Sequence, residues 1–108
     1  MANPVTVLAP IKLAAGKTEA DILTASAMFQ KEFVDSQPGI LRRELVRKSD
    51  GTYLDIVQFR SMEDAMAVME KEKESAACHA FFSVMDLGAE DESGNFEFYQ
   101  SLETYDSK

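Results

Sequence analysis

The chain has one cysteine, Cys78, one histidine, His79, and no tryptophan among its 108 residues. A lone thiol forms no intrachain disulfide, so packing alone must hold the fold. Cys78 and His79 are neighbours and would point about 100° apart on a helix. No second Cys or His completes a metal site, so metal chemistry is not expected and Cys78 reads as a small buried apolar residue. Basic residues are also scarce, 11 against 19 acidic ones, for a net charge of −8. The only basic cluster, Arg42, Arg43, Arg47 and Lys48, is interrupted by Glu44. A nucleic-acid partner needs a positive field to displace phosphate counterions, and an anionic membrane surface needs the same, so neither is expected. No apolar run approaches bilayer length, and the basic-then-apolar pattern of a leader is not seen, which makes a cytoplasmic location the expectation. Gly-rich phosphate loops, a Rossmann fingerprint and a Ser-His-Asp order are missing as well. The five glycines read as turn residues, so no nucleotide or other cofactor is expected.

What remains is 45% hydrophobic and 28% charged, an ordinary balance for a folded protein. The length suits a single domain, 1–108, with a core but no roomy interior; a pocket would have to be shared between sheet and helices or between subunits.

Apolar residues at Val5, Val7, Ala9, Ile11 and Leu13 alternate with period two and predict a first strand, loosened at Pro10. Thr18 followed by Glu19 and Asp21 opens a helix. Ile22, Ser26, Phe29 and Phe33 give that helix a buried stripe, and Pro38 ends it near Ser36. Strands over Ile40 to Lys48 and Thr52 to Arg60 flank the Asp50-Gly51 hairpin signal. The first is charged, as suits an edge, with Leu41 and Leu45 set against Glu44 and Val46. The second sets Tyr53, Asp55, Val57 and Phe59 on one face, expected to face the helices, against Leu54, Ile56, Gln58 and Arg60. Ser61 and Asp64 resemble a capping box before a second helix. The run Glu70 to Glu74 reads as solvated, with a break near Ser75 and a further helical piece carrying Cys78, Phe81, Phe82 and Met85. Gly88 to Gly94 reads as an exposed loop, and a last strand is expected from about Asn95 to Tyr105.

The order βαββαβ with right-handed crossovers predicts an α+β, ferredoxin-like four-stranded antiparallel sheet with the helices on one face. Leu54 and Ile56 leave apolar groups on the other face, and packing two such sheets face to face in a homodimer would cover them.

Four stretches carry a family resemblance: Gln37-Pro38-Gly39-Ile40, the Asp50-Gly51 hairpin, Phe59-Arg60-Ser61-Met62-Glu63-Asp64-Ala65, and the interrupted helix from Ser75 to Phe82. Together they make the chain resemble the dimeric α/β-barrel superfamily, in particular its antibiotic-biosynthesis-monooxygenase (ABM) domains, over nearly its whole length. The resemblance implies oxidation of phenols or quinols by oxygen with no metal or flavin, the substrate anion itself reducing oxygen. It also implies pocket residues: an Asn and a Trp four residues apart on the third strand match Asp55 and Phe59, and a polar residue on the late helix matches His79. The chain departs from the pattern at both strand positions. In the haem-degrading branch the axial His would fall at about Phe82 and the ring-distorting Trp at Phe59, so haem is not expected.

Asp55, among apolar neighbours, would have its pKa raised and could accept a phenolic proton; alternatively it is hydrated, or paired with Arg42 or Arg43. His79 could shuttle that proton or sit capped at the surface. Phe59, Phe81, Phe82 and Met66, with Tyr53 supplying a hydroxyl, could contact an aromatic ligand, although such residues equally build cores. The expected function is thus a cofactor-independent monooxygenase-like protein acting on a small quinol- or phenol-type molecule, with Asp55 and His79 catalytic. The alternative is a non-catalytic ligand-binding or interaction dimer on the same fold. RNA binding on the sheet is set aside by the charge and by the lack of a basic aromatic strand motif.

Overall fold

The computed structural model describes residues 3–86 and 96–105; the expected loop Gly88 to Gly94 lies outside them. Strand β1 (Val5–Ile11) leads to helix α1 (Glu19–Glu32), a short 3-10 turn (Val34–Ser36), strands β2 (Ile40–Arg47) and β3 (Tyr53–Phe59), helices α2 (Met62–Glu72) and α3 (Ala76–Phe82), and strand β4 (Glu97–Gln100). The sheet order is β2-β3-β1-β4, with antiparallel neighbours throughout. This is the ferredoxin-like arrangement, and β2 is an edge strand as its charge predicts.

Local chemistry explains the boundaries. Thr18 accepts the Asp21 N–H (3.3 Å) while the Asp21 carboxylate accepts the Thr18 N–H (2.8 Å), a reciprocal cap that starts α1. Ile22, Ser26, Phe29 and Phe33 are all buried, as their spacing predicts. The chain leaves β2 through Asp50-Gly51, where Gly51 adopts φ +89°, a conformation that glycine reaches without a Cβ clash. Asp50 Oδ1 accepts the Thr52 N–H (2.9 Å) and fixes the turn. Ser61 and Ser75 each cap a helix by accepting an N–H three residues on, from Asp64 (3.1 Å) and Cys78 (3.1 Å). The second cap is what separates α2 from α3.

Two expectations change. The first strand stops at Ile11, and Leu13 instead bridges to Met85, with the Ala14 and Asp86 N–H groups donating to Val84 and Lys12 carbonyls. The last strand covers only Glu97–Gln100 because its partner runs out: Gln100 faces Val5, the first residue of β1. Beyond it, Leu102 and Tyr105 are exposed.

The core fills the space between sheet and helices, with Val5, Val7, Ile22, Phe29, Phe59 and Phe81 buried there. Phe81 of α3 stacks on Phe29 of α1 with centroids 5.1 Å apart. On the opposite sheet face Leu8 and Ile56 are directly paired, and Leu54 lies beside Val46; all four are part-exposed.

Gly39, buried at the entry to β2, shows how closely α2 is seated. A Cβ there would meet the Asp64 Cβ at 2.8 Å, while the Gly39 carbonyl accepts the Arg60 N–H (2.8 Å). We predict that Gly39→Ala lowers stability by about 1–3 kcal/mol through overpacking. Urea unfolding checks this; an unchanged midpoint would mean that α2 yields without strain.

Candidate functional site

The site grows from the helix-facing rows of the sheet. In β3 this row is Tyr53, Asp55, Val57 and Phe59, and its partners in β2 are Arg47, Leu45, Arg43 and Ile40. Ile40 and Arg43 are three residues apart yet share a face, because a register shift between Ile40 and Arg42 inserts an extra residue. A bulge of this kind re-aims the strand. It turns Leu41 out to solvent, contrary to the alternation read from the sequence, and leaves Arg43 as the inward group.

Arg43 and Asp55 form a buried ion pair, their side chains only 6% and 7% exposed. Arg43 Nε donates to both Asp55 carboxylate oxygens, at 3.1 Å each. Its Nη1 donates to the Ser26 carbonyl oxygen (3.3 Å) and to Gln30 Oε1 (3.2 Å), and its Nη2 to the Ser26 hydroxyl. The guanidinium carbon also lies over the Phe29 and Phe81 rings, 5.0 and 5.3 Å from their centroids. Ser26 on the stripe of α1 is therefore a polar group buried for a reason. Burial pushes the Asp55 carboxyl above its ordinary range, against the attraction of Arg43.

Beside this pair lies a cavity of about 70 Å³. Val7, Ala9 and Ile11 of β1 form part of its floor with Val57 and Phe59 of β3. Phe29, Met69, Phe81, Phe82 and Met85 close it from the helix side, and Phe96 borders it as well. Three ionisable side chains reach this otherwise apolar space: Arg43, Asp55 and Glu72.

The charge run Glu70 to Glu74 predicts a solvated Glu72, and the structure corrects that: the residue is part-buried. Ala65, Val68, Met69 and Glu72 fall at i, i+3, i+4 and i+7, so Glu72 continues the inward stripe of α2. Burial, reinforced by the Asp55 carboxylate and offset in part by Arg43, pushes its pKa up to about 7. The stripe was the available signal, masked by the charges on either side. The thiol of Cys78, buried nearby on α3, is pushed up to about 12 by desolvation and the Glu72 charge, so it stays protonated.

The other candidates separate. Phe59, Phe81 and Phe82 line the cavity with Asp55. His79 does not: it is exposed, and its Nε2 lies 2.9 Å from the Lys73 carbonyl oxygen, where it caps the end of α2. Tyr53 is buried but directs its hydroxyl to Glu19 Oε1 (3.0 Å), away from the cavity lining. Met66 is 50% exposed, and Met69, one turn on, takes the inward place. Among the described residues no group of three or more His, Cys, Asp or Glu is arranged to hold a metal ion, and no helix is long and apolar enough to cross a membrane.

No family model matches the chain and no curated protein matches its sequence. Solved structures do match its fold. A Caulobacter crescentus CB15 protein provisionally named as an antibiotic biosynthesis monooxygenase superposes with a TM-score of 0.71 at 21% identity, covering 94% of this chain and 92% of that one. SnoaB, a cofactor-independent oxygenase from Streptomyces nogalater, gives 0.71 at 16% identity, covering 95% and 97%. A provisionally named monooxygenase from Shewanella loihica PV-4 gives 0.63 at 23% identity, covering 96% and 99%.

The raised Glu72 pKa sets the sign of a pH effect. Between its ordinary value of 4.5 and about 7, the folded protein holds more proton than the unfolded chain, so stability falls as pH rises through that window. The upward push on Asp55 acts with the same sign at lower pH. We predict that Glu72→Gln flattens this dependence and melts higher than the parent at pH 8. Thermal melts from pH 5 to 8 test it; parallel curves for the two proteins would contradict the assignment.

Proposed function

We propose that this chain, whose fold is that of the ABM-type dimeric α/β-barrel proteins, binds a small quinol- or phenol-type molecule in the Arg43-Asp55 cavity and promotes its oxidation by molecular oxygen. The observation that carries the reading is the buried, doubly aromatic-flanked Arg43-Asp55 pair opening on an apolar cavity. A substrate that loses its hydroxyl proton becomes an electron-rich anion able to reduce oxygen; one oxygen atom enters the product and the other leaves as water. The protein then has to bind, orient and exclude solvent. Asp55 is held through both oxygens by Arg43, which suits it to be the counter-ion that fixes the guanidinium. Arg43 in turn offers positive charge where the substrate anion develops, an effect strengthened by low dielectric. Phe59, Phe81 and Phe82 provide stacking faces. His79, outside the cavity lining, has no part in this scheme.

The cavity volume bears on the ligand. About 70 Å³ is roughly half the 150 Å³ cavity that accepts one benzene ring. A single-ring ligand therefore enters with movement of pliable walls such as Met69 and Met85, and a fused polycycle is disfavoured. The same smallness favours a second reading, a ligand-binding dimer without turnover. In either case we propose a homodimer formed through the outer sheet face around Leu8, Leu54 and Ile56, where an exposed apolar surface would otherwise face water.

A thermal-shift series with single-ring quinols, followed by oxygen uptake, tests the reading. We expect stabilisation of about 2.7 kcal/mol at a hundredfold excess over Kd, measurable oxygen consumption, and loss of both in Met69→Trp, which fills the cavity. His79→Ala should leave turnover unchanged. Binding without oxygen uptake would select the second reading, and no binding would reject both.

A further inference from the structure

A carboxyl in an apolar cavity is normally neutralised or hydrogen-bonded. Asp55 meets that rule through Arg43; Glu72 is only part-buried, and its carboxyl keeps some contact with solvent. Among the described residues no hydrogen bond or ion pair engages the Glu72 side chain, yet it lines the cavity from the last turn of α2. Helix α2 ends with it, and Lys73 to Ser75 lead into α3, so the carboxyl stands at the cavity edge where α2 gives way to α3. Its charged neighbours are Arg43 from β2 and Asp55 from β3, and the thiol of Cys78 faces it from α3. The lysine next to it in sequence, Lys73, is turned to Glu70 (2.9 Å).

We propose that Glu72 is the proton acceptor of this cavity, and that its ligand is a neutral, compact aromatic molecule bearing one weakly acidic hydroxyl aimed at the Glu72 carboxylate. This rests on the reading of the cavity given above and deepens it. Ligand charge follows from the fixed charges: Arg43 is already paired with Asp55 and offsets Glu72 only in part, so a ligand that arrives as an anion would be repelled by the Glu72 carboxylate. A neutral hydroxyl instead gives Glu72 a hydrogen bond inside the cavity in place of solvent. In the reactive step the ligand O–H bond breaks, its electron pair stays on oxygen, and the proton passes to Glu72. Glu72 becomes neutral, and the ligand anion inherits the charge in the cavity that Arg43 also lines. A carboxylate whose pKa is pushed up to about 7 is a stronger base than an ordinary one and still largely ionised just above neutrality.

Binding of 4-methylphenol, its ether 4-methylanisole and the cation 4-methylbenzylamine, measured by calorimetry at pH 5.5 and 8, tests this without requiring turnover. At pH 8 the phenol should bind about tenfold more tightly than the ether, the scale of a hydrogen bond to a charged group. That preference should shrink to about twofold at pH 5.5 and be independent of pH in Glu72→Gln. Removing a part-buried carboxylate with no protein partner among the described residues does not threaten folding, so the variant is a fair test; Glu72→Leu serves as a second variant lacking any acceptor. An undiminished preference in both variants would overturn the role of Glu72 while leaving the cavity reading intact. Tightest binding of the amine would overturn the ligand class, and no binding of any probe to the parent would overturn the cavity reading itself.

Discussion

The helix-facing side of this protein is organised around one guanidinium. Removing Arg43 from water is unfavourable by several kcal/mol unless its N–H groups are matched, and the surrounding chain supplies the matches from three elements. Asp55 comes from the neighbouring strand, Ser26 and Gln30 from α1, and the Phe29 and Phe81 faces from α1 and α3. Each partner occupies its position for a local reason. The β2 bulge re-aims the strand at its start, the period-two face of β3 presents Asp55, and the α1 stripe presents Ser26. Since the pair is already neutral, the remaining cavity carboxyl, Glu72, determines the charge a ligand would meet.

Much of this architecture could be read in the sequence because it rests on short-range rules. Thr18 with Asp21, Asp50-Gly51, and the serines at 61 and 75 each satisfy backbone groups within three residues, so they mark element ends whatever the tertiary context. Period-two and helical spacing placed Asp55 and Phe59 on one face and Phe29 and Phe33 on another. The site was legible only in part. Arg43 appeared as a possible partner of Asp55 on the face of Leu45, but its burial depends on matches from α1, 13 and 17 residues away, that no local signal announced. Glu72 was hidden by its charged neighbours although the spacing from Ala65 pointed inward. His79 and Met66 show the converse, where residue chemistry outweighed geometry. Adjacent to buried Cys78, His79 had to point elsewhere, and on α2 the inward stripe passes through Met69, leaving Met66 in solvent.

The functional reading joins these layers. A fold shared with oxygenase structures provides a sheet-and-helix cavity, and in this chain Arg43, its counter-ion Asp55 and Glu72 reach it. The proposed ligand is a small one because the cavity is small, and the charge it would meet depends on Glu72.

The most direct measurement is a double-mutant cycle on Arg43→Met and Asp55→Leu, read by urea unfolding. If the ion pair organises the core, each single change strands a buried charge and destabilises by about 3–5 kcal/mol, while the double variant recovers most of that loss. Additive losses, with the double variant as unstable as the two singles combined, would contradict the account.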